Sequence, residues 1–389
     1  MEENIIQYSM FLIFAGAAIL ATLALYARQA MIVSYILLGI LLGPWGLNLV
    51  SDPDLIKDIS HIGIIFLLYL LGLDLLPQQL WQMLGVALRI TIVSSLIFCI
   101  IGFFIGYVFA YPLLDAIAIG VVLMFSSTII GLKLLPTTIL HHKHTGQIII
   151  SILLIQDLLA IIVLLLLQGY GKGEHLAMNI MLNLVTLPIL IAVAYFIERF
   201  ILIKLIQRFD QIHEYVFLLA IAWCMGIAKL AVFLGLSHEI GAFIAGVTLA
   251  SSPIAMFITE RLRPLRDFFL IIFFFSIGAS FNVQAVSNII VPALLLALVI
   301  IFIKPLIFSV LLTNAGEKKH ISKEVGFRLG QASEFSLLIA VLAIESGFIG
   351  HTTSDLIQLT TLLTFIASSY VIVLNYPTPI AVNDKLRRD

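Results

Sequence analysis

Apolar residues come in long stretches along this chain, separated by short clusters of charged residues, Gly and Pro. Neither the strict alternation of a half-buried strand nor the narrow stripe of a helix on a soluble domain dominates. A helix rising about 1.5 Å per residue needs roughly 20 apolar residues to cross a bilayer. On that criterion the pattern predicts thirteen spans, at 6–27, 30–50, 59–76, 84–110, 113–136, 147–168, 178–203, 213–234, 239–252, 267–282, 289–312, 325–346 and 354–375. The stretch at 239–252 is short, which points to a tilted, re-entrant or longer helix there. The fold class expected is an all-α polytopic membrane protein.

Composition strengthens this reading. Of 389 residues, 61% are hydrophobic and 11% are charged, against about 25% charged in an ordinary soluble domain. The opening Met1-Glu2-Glu3-Asn4 has no positive region, so the first run reads as a retained span rather than a cleaved leader. Cys99 and Cys224 lie in apolar runs and read as buried thiols, not as a disulfide or a metal pair. No phosphate loop, metal-ligand cluster or nucleophile motif is visible, so an enzyme is not expected.

The distribution of charge says more than its sum. Of the 21 Lys and Arg residues, 17 follow odd-numbered spans, from Arg28 and Arg89 through Arg328 to Lys385, Arg387 and Arg388. Lys57 and Lys172 are the only two on the opposite side. The positive-inside rule therefore puts the odd loops and the C-terminus in the cytoplasm and the N-terminus outside. Lys229 and Lys304 remain, both inside spans. Lys229 is near enough to a span end to snorkel, whereas Lys304 is deep within its segment.

Asp157, eleventh of the twenty-two residues at 147–168, is the acid that stands out. Insertion scales charge about 2.5–3.5 kcal/mol for a carboxylate at the bilayer centre, which makes such a residue a functional candidate in search of a partner.

Several features recur at a nearly constant offset. Gly39 matches Gly246 at 207 residues, while Gly72 matches Gly278, Gly120 matches Gly326 and Ser127 matches Ser333, each at 206. Spans 1–6 (about 6–168) would then correspond to spans 8–13 (about 213–375), turned over in the membrane, with span 7 (about 178–203) as connector. The transmembrane domain would run over 1–381, with a short cytoplasmic tail at 382–389. Near the middle of span 5 the apolar pattern is interrupted by Ser126-Ser127-Thr128, and in span 12 by Gln331, Ser333 and Glu334. Hydroxyls that bond locally to the backbone compete with the helical ladder, so two discontinuous, crossing helices with one site between them are expected. The alternative is two intact helices packed through small residues. The first copy supplies the acid, Asp157, and the second the base, Lys304. Burial and a neighbouring ammonium pull the proton affinity of an acid in opposite directions, so a pair of this kind can poise it near working pH.

Gly43-Pro44-Trp45-Gly46, Leu71-Gly72-Leu73-Asp74, Ser126-Ser127-Thr128, Gln156-Asp157, Gly241-Ala242-Phe243-Ile244-Ala245-Gly246, the Phe-Phe-Phe-Ser-Ile-Gly run at 273–278 and Gly330-Gln331-Ala332-Ser333-Glu334-Phe335 stand in one order. Together they resemble the cation:proton antiporter-2 family, and within it the Kef-type potassium/proton antiporters, over essentially the whole chain. The resemblance implies thirteen spans, a sodium/proton-antiporter-like fold and a homodimer. It also implies a core bundle of spans 4–6 and 11–13 that slides against a dimerisation scaffold. Asp157 would be the carrier carboxylate beside Gln156, with Lys304 as its charge partner. It further implies a nucleotide-binding regulatory domain, which is separate or missing here. Glu260-Arg261-Leu262-Arg263 stands where glutathione-gated members are acidic, which argues against that gating.

The expected activity is exchange of one monovalent cation, K⁺ first, for H⁺ across a bacterial inner membrane, by alternating access and without a cofactor or nucleic acid. The ion site would draw on Asp157, Gln156, Ser126, Ser127, Thr128, Gln331, Ser333 and Glu334. Glu334 could serve the ion path or bond freed backbone N–H groups. A Na⁺/H⁺ antiporter is the nearest alternative. A ligand-gated potassium channel and a sodium-coupled solute symporter are the alternatives of other classes. His141, His142 and His144 suggest a metal clip or pH sensor, with a solvated polar loop as the plainer reading. Asp115 reads as a membrane-edge residue.

Overall fold

A computed structural model describes residues 2–50, 53–74, 77–135, 144–170, 176–209, 211–250, 252 and 254–378. Each predicted span coincides with helix. The elements are α1 (Glu2–Tyr26), α2 (Met31–Leu42), α3 (Pro53–Asp74), α4 (Pro77–Val108), α5 (Leu113–Leu123), α6 (Thr128–Lys133) and α7 (His144–Tyr170). After these come α8 (Leu176–Ile197), α9 (Ile203–Arg208), α10 (His213–Phe233), α11 (His238–Ala250), α12 (Ala255–Ser280), α13 (Val286–Leu298), α14 (Lys304–Asn314), α15 (Lys319–Arg328), α16 (Glu334–Glu345) and α17 (His351–Asn375). Among the described residues, seven segments are long and apolar enough to cross a membrane unaided. The chain is a multi-pass α-helical membrane protein.

Local sequence explains where the spans depart from simple rods. The helix expected over 30–50 stops at Leu42, because Gly43 precedes Pro44 and takes an extended backbone that a residue before proline prefers. In span 11 a π-helical turn, Val299–Ile303, separates α13 from α14. Pro305 has no N–H to donate four residues back and its ring would strike that carbonyl, and widening the preceding turn relieves both problems. Lys304 is set at that wide turn. The short 239–252 segment is α11, a helix with nearly every side chain buried, which needs little length because lipid hardly touches it.

The chain divides into two compact units, one of Met1–Ser51, Gln82–Ala160 and Ile277–Asp389, the other of Asp52–Trp81 and Ile161–Ser276. The first holds spans 1, 2, 4, 5, 11, 12 and 13 and span 6 as far as Ala160. The second is built on α3, α10 and α11, whose core includes Phe66, Tyr69, Trp223, Cys224, Ile240 and Ala245. There Trp223 Nε1 donates to Ala245 O at 3.0 Å. Lys229, on α10, is exposed.

Close glycine contacts repeat at the offset read from the sequence. In the second unit, a Cβ added at Gly72 would collide with Phe243 O and lie 3.0 Å from Gly246 Cα. In the first unit, a Cβ at Gly278 would collide with Ile36 O and lie 3.1 Å from Gly39 Cα. Gly120 meets Cys99 O in the same way that Gly326 meets Pro305 O. Each member of one contact is 206 or 207 residues from its counterpart in the other. Two copies of one helix arrangement produce this.

Asp115, in the first turn of α5, is buried and accepts from Thr353 Oγ1 and from Gly350 N at 3.4 Å, which fastens the start of α17 to α5. One expectation about charge changes. Arg328 is not a loop charge but the last residue of α15, with none of its surface exposed. His141 and His142 lie outside the described residues, as does the tail at 382–389. His144 is exposed at the start of α7, 2.9 Å from Glu317 Oε1.

Candidate functional site

Two of the spans are broken at membrane depth, both in the first unit. α5 ends at Leu123 and α6 begins at Thr128, with residues 125–127 outside any helix. α15 ends at Arg328 and α16 begins at Glu334. Ser127 and Ser333, the matched pair, have the same task in each break. Ser127 Oγ accepts from Ile130 N at 3.1 Å, and Ser333 Oγ accepts from Phe335 N at 3.0 Å while Ser336 Oγ accepts from Ser333 N at 3.4 Å. They are the N-caps of the half-helices that follow the breaks, which is why these hydroxyls end one helix and start another.

A break leaves backbone groups without helical partners, and in lipid each must find one. Gln156, on α7, bridges the first break: its Oε1 accepts from Ser126 N and its Nε2 donates to Met124 O, both at 3.0 Å. At the equivalent place in the second break, Ala332 N donates to Thr364 Oγ1 of α17 at 3.1 Å. The breaks also serve each other. Ser126 Oγ donates to Leu329 O at 2.9 Å, and Ser336 Oγ donates to Val122 O at 2.7 Å. Gln331 Nε2 donates to Ser127 O at 3.3 Å, while its Oε1 accepts from Ser368 Oγ at 3.1 Å.

Two buried charges complete the crossing. Glu334 Oε1 accepts from Thr128 N and Ile129 N, each at 3.2 Å, which places a carboxylate against the positive end of α6. Of its two expected roles, the bond to freed backbone N–H groups is the one observed. Lys304 Nζ donates to Leu123 O at 3.2 Å, Phe125 O at 2.6 Å and Gln331 O at 3.1 Å, and lies 5.3 Å from the centre of the Phe98 ring. An ammonium has three donors, and all three are used on carbonyls. Lys304 is thus bonded to both breaks, whose freed carbonyls draw on the ammonium expected beside Asp157. Asp157 follows Gln156 near the centre of the 27-residue α7 and is 2% exposed.

The structure thus gathers Gln156, Ser126, Ser127, Thr128, Gln331, Ser333, Glu334 and Lys304 into one bonded crossing, with Asp157 beside Gln156 on α7. Thr364, Ser368, Ser336 and Arg328 were not anticipated. The hydroxyls of α17, at 361, 364 and 368, recur at helical spacing on an otherwise apolar run, and that signal could have found two of them.

Comparison with known proteins places this arrangement. The family described as sodium/hydrogen exchanger, transmembrane, matches residues 11–374. K(+) efflux antiporter 5 of Arabidopsis thaliana is 31% identical over 327 residues, which are 80% of this chain and 56% of the relative. K(+) efflux antiporter 4 of the same plant is 29% identical over 322 residues, 80% of this chain and 54% of the relative. The chain therefore spans about half the length of these curated relatives. Among solved structures, the sodium proton antiporter MjNhaP1 of Methanocaldococcus jannaschii shares the fold at a TM-score of 0.72, with 19% identity and 95% of each chain covered. With the family's pattern matched almost end to end and the fold shared over its length, this chain belongs to the transmembrane sodium/hydrogen exchanger family.

Proposed function

We propose that the chain is a monovalent cation/proton antiporter, with K⁺ as the first candidate and Na⁺ as the alternative, and that Asp157 is its carrier carboxylate. The observation that carries this reading is the position of Asp157, a buried acid at the centre of a span, adjoining the amide that bridges the first break. Lys304 and Glu334 bond backbone groups at the same breaks and hold them closed. An acid so placed can hold one proton or one cation in turn.

Gln156, Ser126, Ser127, Gln331, Ser333 and Glu334 then act mainly by shaping the break. Thr128 Oγ1, buried and without a partner among the described residues, offers the cation a neutral oxygen. K⁺ over Na⁺ is favoured by the two plant relatives, both K(+) efflux antiporters. The charge distribution supports a C-terminus inside the cell and an N-terminus outside. A bacterial inner membrane, a homodimer and a connector at 178–203 between two inverted copies belong to the same proposal.

The test is purified protein in liposomes, with interior pH followed as external K⁺, Rb⁺ and Na⁺ are varied. Wild type is expected to move protons when a cation gradient is imposed. Asp157→Asn is expected to fold, since an amide is close in shape and cheaper to bury, and to lose exchange. Exchange by that variant at the wild-type rate would remove Asp157 from the mechanism. Unitary conductance without proton movement would make the chain a channel, and a required organic ligand would make it a symporter.

A further inference from the structure

A guanidinium wholly removed from water must satisfy its rigid fork of donors on the protein, and Arg328 does so on three elements. Its Nε donates to Glu324 Oε1 one turn back on α15 at 3.0 Å. Nη1 donates to Leu134 O, just past α6, at 3.1 Å, and Nη2 donates to Pro377 O, just past α17, at 2.8 Å. The guanidinium carbon stands 5.8 Å from the centre of the Tyr376 ring, and that ring is 5.9 Å from Phe327. The main chain of the same residue faces the crossing. Arg328 O accepts from Gln331 Nε2 at 2.9 Å, and that nitrogen also donates to Ser127 O.

We propose that Arg328 is a positioning residue for the cation site, and that through it the chain leaving α17 is held in register with both breaks. The path is short and every link is a hydrogen bond: Pro377 to the guanidinium, Arg328 O to the Gln331 amide, and that amide to the carbonyl of Ser127, next to Thr128. Such bonds hold over only about half an ångström of length. A displacement of Pro377 larger than that must either break the Arg328 bond or be passed to Gln331. Whatever is joined after Pro377, whether a further domain or a partner, thereby acts on the crossing. The fork shape is essential. Lysine has the charge but not the planar fork, so it cannot keep the bonds to Glu324, Leu134 and Pro377 in their present geometry.

The transport arm of the test rests on the antiporter reading, and the exchange arm does not. In hydrogen–deuterium exchange followed by mass spectrometry, Arg328→Lys is expected to speed exchange in 124–135, 329–333 and 374–378 together. Faster exchange confined to the end of α15 would overturn the proposal. In liposomes the same variant is expected to raise the apparent KM for the cation roughly three- to tenfold, the equivalent of about one hydrogen bond. The maximal rate is expected to stay within about twofold, the mark of lost ground-state positioning. An unchanged KM would overturn the positioning role whatever the loss of thermal stability. Tyr376→Leu keeps the guanidinium and removes the ring that backs it. It is expected to act in the same direction more weakly, which keeps the proposal testable should Arg328→Lys fail to fold. Wild-type protein that moved no cation would overturn the antiporter reading and leave the exchange arm to decide this one.

Discussion

Lys304 reaches two carbonyls that hold equivalent places in the two copies, those of Phe125 and Gln331, and rests on Phe98, which occupies its own place in the first copy. A residue that touches its counterpart lies close to the axis relating the copies, and at such a point there is room for one ammonium. This accounts for the asymmetry of charge: the second copy supplies Lys304, so the first must supply something flat and apolar. Lys304→Phe should cost about 3 kcal/mol or more, because three buried carbonyls lose a charged donor. Adding Phe98→Lys should recover part of that loss, as measured by thermal unfolding in detergent, since a lysine arriving from the other side meets the same carbonyls. A double variant no more stable than Lys304→Phe would show that the place is not shared.

At the scale of the element, the half-helices α6 and α16 owe their starts to one hydroxyl each. Ser127→Ala and Ser333→Ala should each cost about 0.5–2 kcal/mol, the ordinary value of an N-cap. The bond from Ser333 N to Ser336 Oγ is made by the main chain and survives the change to alanine. A loss well below about 0.5 kcal/mol in thermal unfolding would argue that the hydroxyl does not start its half-helix. These breaks were legible in the sequence because Ser126, Ser127, Thr128 and Ser333 bond their own neighbourhood, a local effect that needs no knowledge of the fold. The spans were legible for a similar reason, since length and apolarity suffice to cross a bilayer. The partners of Lys304 and the burial of Arg328 were not. Counting basic residues by loop treats Arg328 as solvated, and only the packing of α15 between Leu134 and Pro377 removes it from water. Likewise, that a carbonyl at 125 and another at 331 would meet at Lys304 depends on the crossing itself.

For the whole molecule, the proposed cycle has one consequence that requires no structure to test. If Asp157 alone exchanges H⁺ for a monovalent cation, while Lys304 and Glu334 stay bound to the backbone, the carrier moves no net charge. Transport driven by Rb⁺ or Na⁺ gradients should then be indifferent to imposed membrane voltage, as read with an independent potential probe. A rate that follows voltage would require a second charge in the cycle.

The reciprocal bonding of the two breaks also bears on the origin of the molecule. Thr128 N and Ile129 N are satisfied by Glu334, Leu329 O by Ser126 and Val122 O by Ser336, so each copy closes backbone groups that belong to the other. A lone copy would carry those groups unpaired into lipid, at a cost of several kcal/mol each. A single-copy ancestor could therefore have been stable only as a pair of chains inserted in opposite senses, and fusion of its duplicated gene would have fixed the pairing. Expressed as two polypeptides divided between 211 and 212, the halves should accumulate in the membrane when made together and be degraded when made apart. Stable accumulation of either half alone would show that a copy can satisfy itself.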